Sequence, residues 1–264
     1  MTRSRLPIVP RSAGSVETTS PSRPILIVLH QETSSPGRVG NVLRALGHCL
    51  DIRRPRFGDP LPDTLEAHAG AVVFGGPMSA NDPDDYIRRE IDWIAVPLRE
   101  RRPFLGICLG AQMLAMQLGA RVAPHPQGRA QIGYYPIRPT AAGLALCPHW
   151  PDHVYHWHRE GFELPVGAEL LAEGSDFPIE AFQYGHAFGF QFHPDVTYAM
   201  MYRWTTRGHA RLALPGARPR HHHFADRAVH DVTERAWLKA FLDGWLARTP
   251  PVAGFDMAMA QAAE

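Results

Sequence analysis

Hydrophobic residues in the first 120 positions form short continuous runs rather than alternating patterns. Continuous apolar runs rich in β-branched residues are typical of strands buried on both faces of a parallel sheet. The runs in question are ILIVLH (25–30), AGAVVFGG (69–76) and PFLGIC (103–108). We expect these three segments to be neighbouring strands of one sheet.

Between these runs, apolar residues recur at the three- and four-residue spacing of helices. The segments predicted to be helical run from about Val39 to Leu50, over 82–100 and over 109–120. The second segment has acidic residues at its start and arginine near its end, as a helix prefers. The alternation predicts an α/β fold with a doubly wound, mostly parallel sheet flanked by helices.

The middle of the chain changes to short strands separated by turn residues. Its clearest unit is FQY-GH-AFGFQFH, which predicts a hairpin that adds antiparallel strands to the sheet. Two further helices are predicted near the C-terminus, at about 198–209 and 231–247. With no repeat and no convincing linker in between, we expect a disordered leader over 1–23, a single domain over 24–248 and a flexible tail over 249–264.

Charge and composition narrow the class of protein. Lys and Arg number 27 and Asp and Glu 26, a net charge of +1 that gives no general reason to expect a nucleic-acid partner. No stretch approaches the apolar length of a membrane span, so no membrane association is expected. The three cysteines form no CxxC pair, which favours a reducing compartment and predicts a cytoplasmic protein.

The sharpest local motif is Gly106-Ile107-Cys108-Leu109-Gly110, between a predicted strand and a predicted helix. This G-x-C-x-G spacing is the thiol counterpart of the nucleophile elbow, in which a tight turn projects a reactive side chain from the sheet. The Leu109 N–H is then placed to donate to an oxyanion. The alternative is that Cys108 is simply a buried cysteine of a strand–helix unit.

A base for this thiol is suggested by His193 and Asp195. His193 ends the predicted strand AFGFQFH, and residues two apart in an extended segment face the same way. Asp195 could therefore orient the imidazole ring, as in a catalytic triad. The alternative is a strand-ending His-Pro turn with a solvated aspartate.

Paired glycines, Gly75 and Gly76, follow the second predicted strand in the segment GGPMS. Glycines at the C-terminal end of a parallel strand let backbone N–H groups approach a ligand closely. By itself, GGP is a common turn.

Together these motifs resemble the class I glutamine amidotransferases, and most closely their stand-alone, GMP synthase-like members. The matching segments are GGPMS (75–79), PFLGICLGAQMLA (103–115), QIGYYPI (131–137), HWHREGFELPVGAELLA (156–172) and QFHPDVT (191–197). The resemblance covers roughly residues 25–247 and implies the flavodoxin-like sheet of that family.

The resemblance implies a role for seven residues. Cys108 would attack the side-chain amide of L-glutamine to form a thioester, His193 would move protons and Asp195 would orient its ring. Backbone N–H groups of Gly76 and Leu109 would form the oxyanion hole. Gln112 would contact the bound glutamine, and His158 would lie near the substrate pocket. One departure is Asp195, which stands where the family usually has the longer glutamate.

The acceptor of the ammonia is not encoded by any motif of this chain, because it contains no GxxxxGK[ST] loop. A separate synthetase subunit could accept the ammonia. Alternatively, the enzyme could act alone on γ-glutamyl amides or peptides. A third alternative is a non-catalytic regulatory member that binds a ligand. No cofactor is implied.

Histidines are numerous, but we expect no metal site. His149, His153, His156 and His158 cluster without a cysteine or carboxylate at a familiar ligand spacing. The run His221–His223 is expected to be solvated surface in a polar loop.

Overall fold

The computed structural model describes residues 23–247, which form seven α-helices and twelve β-strands. The strands are β1 (Ile25–Val28), β2 (Leu50–Arg53), β3 (Gly70–Val73), β4 (Phe104–Ile107), β5 (Val122–Pro124), β6 (Gln131–Pro136), β7 (Arg138–Pro139), β8 (His153–His158), β9 (Glu160–Phe162), β10 (Glu169–Glu173), β11 (Ala181–Tyr184) and β12 (Ala187–Phe190). The helices are α1 (Gly37–Ala45), α2 (Asp85–Trp93), α3 (Ala95–Arg99), α4 (Leu109–Gln117), α5 (Ala141–Leu146), α6 (Tyr198–Arg207) and α7 (Arg220–Ala247). Apart from residue 23, the predicted leader and tail lie outside the described residues, so the domain boundaries stay predictions.

Eight strands form the central sheet, in the order β2-β1-β3-β4-β12-β11-β10-β7. The strands from β2 to β12 run parallel to their neighbours, whereas β11, β10 and β7 continue the sheet with antiparallel pairings. The predicted doubly wound, mostly parallel sheet is therefore confirmed, as is the hairpin of β11 and β12.

The continuous apolar runs are explained by burial of the sheet on both faces. In β1, Ile25 and Ile27 belong to a core shared with Trp237 and Phe241 of α7, while Leu26 and Val28 belong to a second core shared with α2 and α4. All four β1 side chains have no exposed surface. Successive side chains of a strand point to opposite faces, so helices on both sides require apolar residues at every position.

The helix predicted to reach Leu50 ends earlier. The Gly47 N–H donates to the Arg44 carbonyl and the His48 N–H donates to the Leu43 carbonyl, each at 3.0 Å. Gly47 has a φ of +90°, a conformation that glycine adopts without strain. These are the bonds of a Schellman helix end. The chain then turns back, and Leu50 begins the edge strand β2 instead.

The predicted helix over 82–100 is divided into α2 and α3. Pro97 is the cause, because it has no N–H to donate to the carbonyl of Trp93 and its ring crowds that carbonyl. The break falls at Ile94, between the two helices.

The histidine run 221–223 does not lie in a loop, so that prediction is wrong. It falls in the first turn of α7, which begins at Arg220 rather than near 231. His223 is fully buried and its Nδ1 lies 2.9 Å from the Tyr155 hydroxyl. Packing of the helix start against β8 therefore decides the environment of this polar run.

Among residues 23–247, no helix combines the length and apolar character needed to cross a bilayer. The cytoplasmic location stays a prediction.

Candidate active site

Cys108 lies at the tight turn between β4 and α4. Its backbone has φ 50° and ψ −104°, a left-handed conformation that costs a non-glycine residue about 1–3 kcal/mol. The turn also requires glycine on both sides. A Cβ placed on Gly106 would lie 2.4 Å from the Gly110 carbonyl oxygen, and one on Gly110 would lie 2.1 Å from the Val73 carbonyl oxygen.

The strained turn is held by hydrogen bonds on both sides. The Cys108 N–H donates to the Phe190 carbonyl of β12 at 2.7 Å, and its carbonyl accepts from the Gln112 N–H at 3.0 Å. The sulfur-bearing residue is thus the N-cap of α4, at the positive end of the helix dipole. Leu109 is the first helical residue, whose N–H has no acceptor within the helix.

His193 and Asp195 lie together in a buried turn after β12. The imidazole Nδ1 is 3.2 Å from Asp195 Oδ1, and the two residues are 4% and 3% exposed. The strand ends at Phe190, not at His193, so the expected extended geometry is wrong. Two backbone hydrogen bonds fix the turn instead. The His193 N–H donates to the Tyr155 carbonyl at 2.7 Å, and the Asp195 carbonyl accepts from the Arg38 N–H at 2.8 Å.

Cys108 and His193 meet beside Gly75. A Cβ placed on Gly75 would lie 2.6 Å from His193 Cε1 and 3.4 Å from both His193 Nε2 and Cys108 Cβ. Burial alone would lower the pKa of His193. The charge and hydrogen-bonding interactions of Cys108 and Asp195 outweigh burial and raise the pKa of His193 to about 10. The site therefore favours a protonated imidazole at neutral pH.

The Gly75-Gly76 turn is held in place by the buried pair of His30 and Glu90. His30 follows β1, and its Nδ1 lies 3.2 Å from the Gly75 carbonyl oxygen. Its Nε2 lies 2.6 Å from a carboxylate oxygen of Glu90 on α2. Sequence patterns did not single out this pair, since neither residue lies in a recognisable motif.

The remaining predicted residues surround the thiol. Gly76, Leu109, Gln112 and His158 line a cavity of about 30 Å³ together with Cys108. That space is about the volume of one water molecule. The structure therefore brings all seven predicted residues into one region, where the cavity can hold a small polar group beside the sulfur.

Gln112 and His158 are tied to the same backbone atom. Gln112 Nε2 donates to the Glu160 carbonyl at 3.0 Å, and His158 Nδ1 lies 3.0 Å from that oxygen. Burial and the neighbouring His193 lower the pKa of His158 to about 3, so this ring is neutral at pH 7. A neutral ring with a carbonyl acceptor carries its proton on Nδ1.

Two larger cavities adjoin the thiol cavity. One measures about 310 Å³ and lies on the side of His193 and Asp195. The other measures about 200 Å³ and lies beside His158. Trp157 and Arg211 line all three. Sequence analysis did not identify either residue, because Arg211 is in no motif and Trp157 lies within a histidine cluster.

Comparison with known proteins identifies the family. The sequence profile for "Glutamine amidotransferase class-I" matches residues 38–201, more than half of the chain. The protein is a class I glutamine amidotransferase by family. The resemblance drawn from the motifs is therefore confirmed.

Relatives extend the family match to particular proteins. The chain is 34% identical over 180 residues to the glutamine amidotransferase-like protein YfeJ of Salmonella typhimurium, covering 64% of this chain and 74% of that protein. It is 36% identical over 135 residues to the glutamine-hydrolysing GMP synthase of Thermomicrobium roseum, covering 49% of this chain. It spans only 24% of that synthase.

A solved structure supports the same fold. A glutamine amidotransferase from Thermotoga maritima superimposes with a TM-score of 0.78 and 27% identity, over 86% of this chain and 99% of that one. The mostly parallel sheet that carries the thiol turn is thus the sheet of this family.

Proposed function

We propose that the protein hydrolyses the side-chain amide of L-glutamine to glutamate and ammonia. The Cys108 sulfur attacks the carboxamide carbon and the C–N bond breaks, leaving a γ-glutamyl thioester. Water then attacks the thioester, the C–S bond breaks, and the thiol is restored. Splitting the hydrolysis into two steps is the advantage of a covalent nucleophile.

Proton transfer in this reaction is assigned to His193. Its protonated ring donates a proton to the departing nitrogen, so that ammonia leaves rather than the amide anion. The neutral ring then takes a proton from the attacking water. Asp195 accepts the Nδ1–H and holds the ring toward the sulfur.

The negative charge that develops on the carbonyl oxygen of the substrate is stabilised by hydrogen-bond donors that are already in position. Gly76 and Leu109 line the cavity beside the thiol, and each has a backbone N–H group to offer. We assign them to the oxyanion hole, since prearranged donors of this kind contribute several kcal/mol to acyl transfer. Gln112 and His158 form the wall of the pocket that receives the carboxamide.

The observation that carries this proposal is the strained Cys108 turn in contact with the buried His193–Asp195 pair. A buried structural cysteine would not require a left-handed backbone between two obligatory glycines. Such strain is retained where it positions a reactive group.

The test is covalent labelling by a γ-glutamyl electrophile that mimics glutamine, with intact-protein mass spectrometry as readout. One adduct per chain is expected, on Cys108, together with glutaminase activity. Cys108→Ser should abolish both and retain the far-ultraviolet circular dichroism of the wild type. Unlabelled Cys108 in a folded wild-type protein would overturn the proposal.

The ammonia acceptor is proposed to be a separate synthetase subunit. GMP synthase of Thermomicrobium roseum is a glutamine-hydrolysing protein of which this chain spans about a quarter. The region matched here therefore corresponds to one portion of that larger synthase.

A second candidate function is hydrolysis of a γ-glutamyl amide or peptide. It is favoured by the cavity of about 310 Å³ beside His193, which has room for a leaving group larger than ammonia. Arg203, Arg207 and Arg211 line this cavity and form no ion pair among residues 23–247. An amine that carries a carboxylate or phosphate would suit these cations.

Parallel assays of kcat/KM distinguish the two candidates. Glutamine, a γ-glutamyl alkylamine and a γ-glutamyl amino acid are compared in the wild type and in Arg203→Ala/Arg207→Ala. Glutamine hydrolysis predicts the highest value for glutamine and little change in the double variant. The second function predicts a preference for the γ-glutamyl amino acid that the double variant loses.

A non-catalytic regulatory member would be suggested by an Asp195 too short to reach the His193 ring. The direct contact between the two side chains supports the catalytic proposal instead.

A further inference from the structure

We propose that His156, His158 and Glu180 form a binding site for a divalent transition-metal ion, with Zn²⁺ the preferred occupant. His156 and His158 lie on β8, and Glu180 precedes β11. The sequence places no carboxylate at a familiar ligand spacing from these histidines. The fold supplies one from a different part of the chain.

Two of the three donor pairs already have nearly the spacing of metal ligands. His156 Nδ1 lies 3.1 Å from His158 Nε2 and 3.7 Å from Glu180 Oε2. One donor atom from each residue lies within 4.8 Å of the other two. Around a tetrahedral zinc ion with bonds of about 2.0–2.1 Å, neighbouring donors stand about 3.3 Å apart. Both distances from His156 are within about 0.4 Å of that separation, and closing of the third pair, which is within 4.8 Å, would complete the geometry.

The second ring nitrogen of His158, Nε2, faces the cluster and lies within hydrogen-bond distance of His156 Nδ1. The His158 Nδ1 is engaged with the Glu160 carbonyl at 3.0 Å, which leaves the Nε2 lone pair toward His156. Histidine ligands commonly have their second nitrogen fixed in this way by a carbonyl or carboxylate. The tautomer required of a metal ligand is thus set by the backbone.

Glu180 provides a second, independent indication of an ion. Its side chain has no exposed surface, and neither carboxyl oxygen has a hydrogen-bond partner within the described part of the chain. His156 is also fully buried, with Nε2 unpaired. Buried polar groups are normally paired, and buried carboxylates commonly bind a cation or a metal.

A fourth ligand is available on the neighbouring strand. Gln131 of β6 pairs directly with His158 of β8, and directly opposed residues place their side chains on the same face. Gln131 has no exposed surface, and both of its amide atoms lack partners among the described residues. Its amide oxygen is therefore suited to complete a tetrahedral site.

The position of the site gives an ion a supporting role beside the thiol. His158 lines the cavity that contains Cys108, and His158 and Gln112 both bind the Glu160 carbonyl. An ion that fixes His158 would fix the wall of this cavity. The proposed chemistry at Cys108 itself does not depend on the ion.

The test is zinc binding to the full chain, measured by calorimetric titration after chelator dialysis and by elemental analysis of the isolated protein. One zinc per chain is expected for the wild type and for Cys108→Ser. The serine variant excludes binding by the thiol and separates this test from that of the hydrolase proposal. Co²⁺ in place of zinc should give the intense visible absorption of a tetrahedral site.

Matched variants locate the ion. Glu180→Gln should weaken zinc binding at least about 100-fold, while Glu234→Gln, which alters another fully buried carboxyl group, should leave it unchanged. Thermal unfolding of each variant without metal verifies that it folds. The proposal is overturned if the wild type takes up no zinc at micromolar concentration, as expected of a cluster that merely shares a proton. Equal binding by Glu180→Gln would also overturn it.

Discussion

The His193 ring contacts the Asp195 carboxylate directly, with 3.2 Å between Nδ1 and Oδ1. Aspartate is one methylene shorter than the glutamate usual in the family, so this contact depends on the backbone. A turn at Pro194 and Asp195 brings the carboxylate under the ring, and the bond from the Arg38 N–H to the Asp195 carbonyl fixes that turn.

Asp195→Asn is expected to lower kcat of the proposed reaction by about 100- to 10,000-fold, since the ring loses the acceptor that sets its tautomer. KM should change little, because Asp195 orients His193 rather than binding substrate. Steady-state kinetics across pH provide the measurement. Asp195→Glu serves as the control and should keep most of the activity. Equal activity of the asparagine variant would show that the contact has no role in orientation.

The pKa of His193 should fall when the thiol is removed. Cys108 raises it through both charge and a hydrogen bond, whereas burial lowers it. In Cys108→Ala, we expect a value clearly below the value of about 10 in the wild type. Nuclear magnetic resonance of imidazole-labelled protein would follow the titration. An unchanged pKa would mean that the two side chains are not coupled.

Gly75→Ala should strongly reduce kcat of the proposed reaction and have only a small effect on the free energy of unfolding. The new Cβ would lie 2.6 Å from His193 Cε1, so the ring must move away from the sulfur. A displacement of about 1 Å can cost about 100-fold in rate. Gly110→Ala provides the contrast. Its Cβ would meet backbone at 2.1 Å, and it should destabilise the fold itself. Wild-type kcat for Gly75→Ala would contradict this geometry.

Glu234 should make the protein less stable as the pH rises. Burial raises its pKa from 4.5 to about 7, although Arg38 opposes the shift. Below pH 4.5 the carboxyl group is protonated in both states. Between pH 4.5 and 7 only the folded state keeps the proton, so its stabilising contribution is lost progressively over that range. The loss is at most about 3 kcal/mol.

Glu234→Gln isolates this effect, because the amide oxygen can still accept from the Tyr155 N–H. The free energy of unfolding of the variant, relative to wild type, should rise between pH 4.5 and 7 and then level off. Urea unfolding at several pH values measures it. A difference independent of pH would show that Glu234 titrates normally.

Local features of the site could be predicted because they depend on neighbours in sequence. Gly106 and Gly110 identify the Cys108 turn, since no larger residue fits beside that backbone. Strand β2 was not predicted, because the local pattern of an edge strand differs from that of a central strand. At the sheet edge its side chains are half-buried and include Asp51 and Arg53, so it lacks the apolar run of a central strand.

The sequence by itself determined the alternation of the central parallel strands with helices, the buried character of those strands and the turn that presents Cys108. Tertiary structure alone decided which distant residues meet there. β12 pairs with β4, so His193 and Cys108 emerge at the same edge of the sheet. The approach of Glu180 to His156 and the placement of Arg211 beside the thiol were also decided by packing. Periodicity constrains which face a side chain occupies, but not which strand becomes its neighbour.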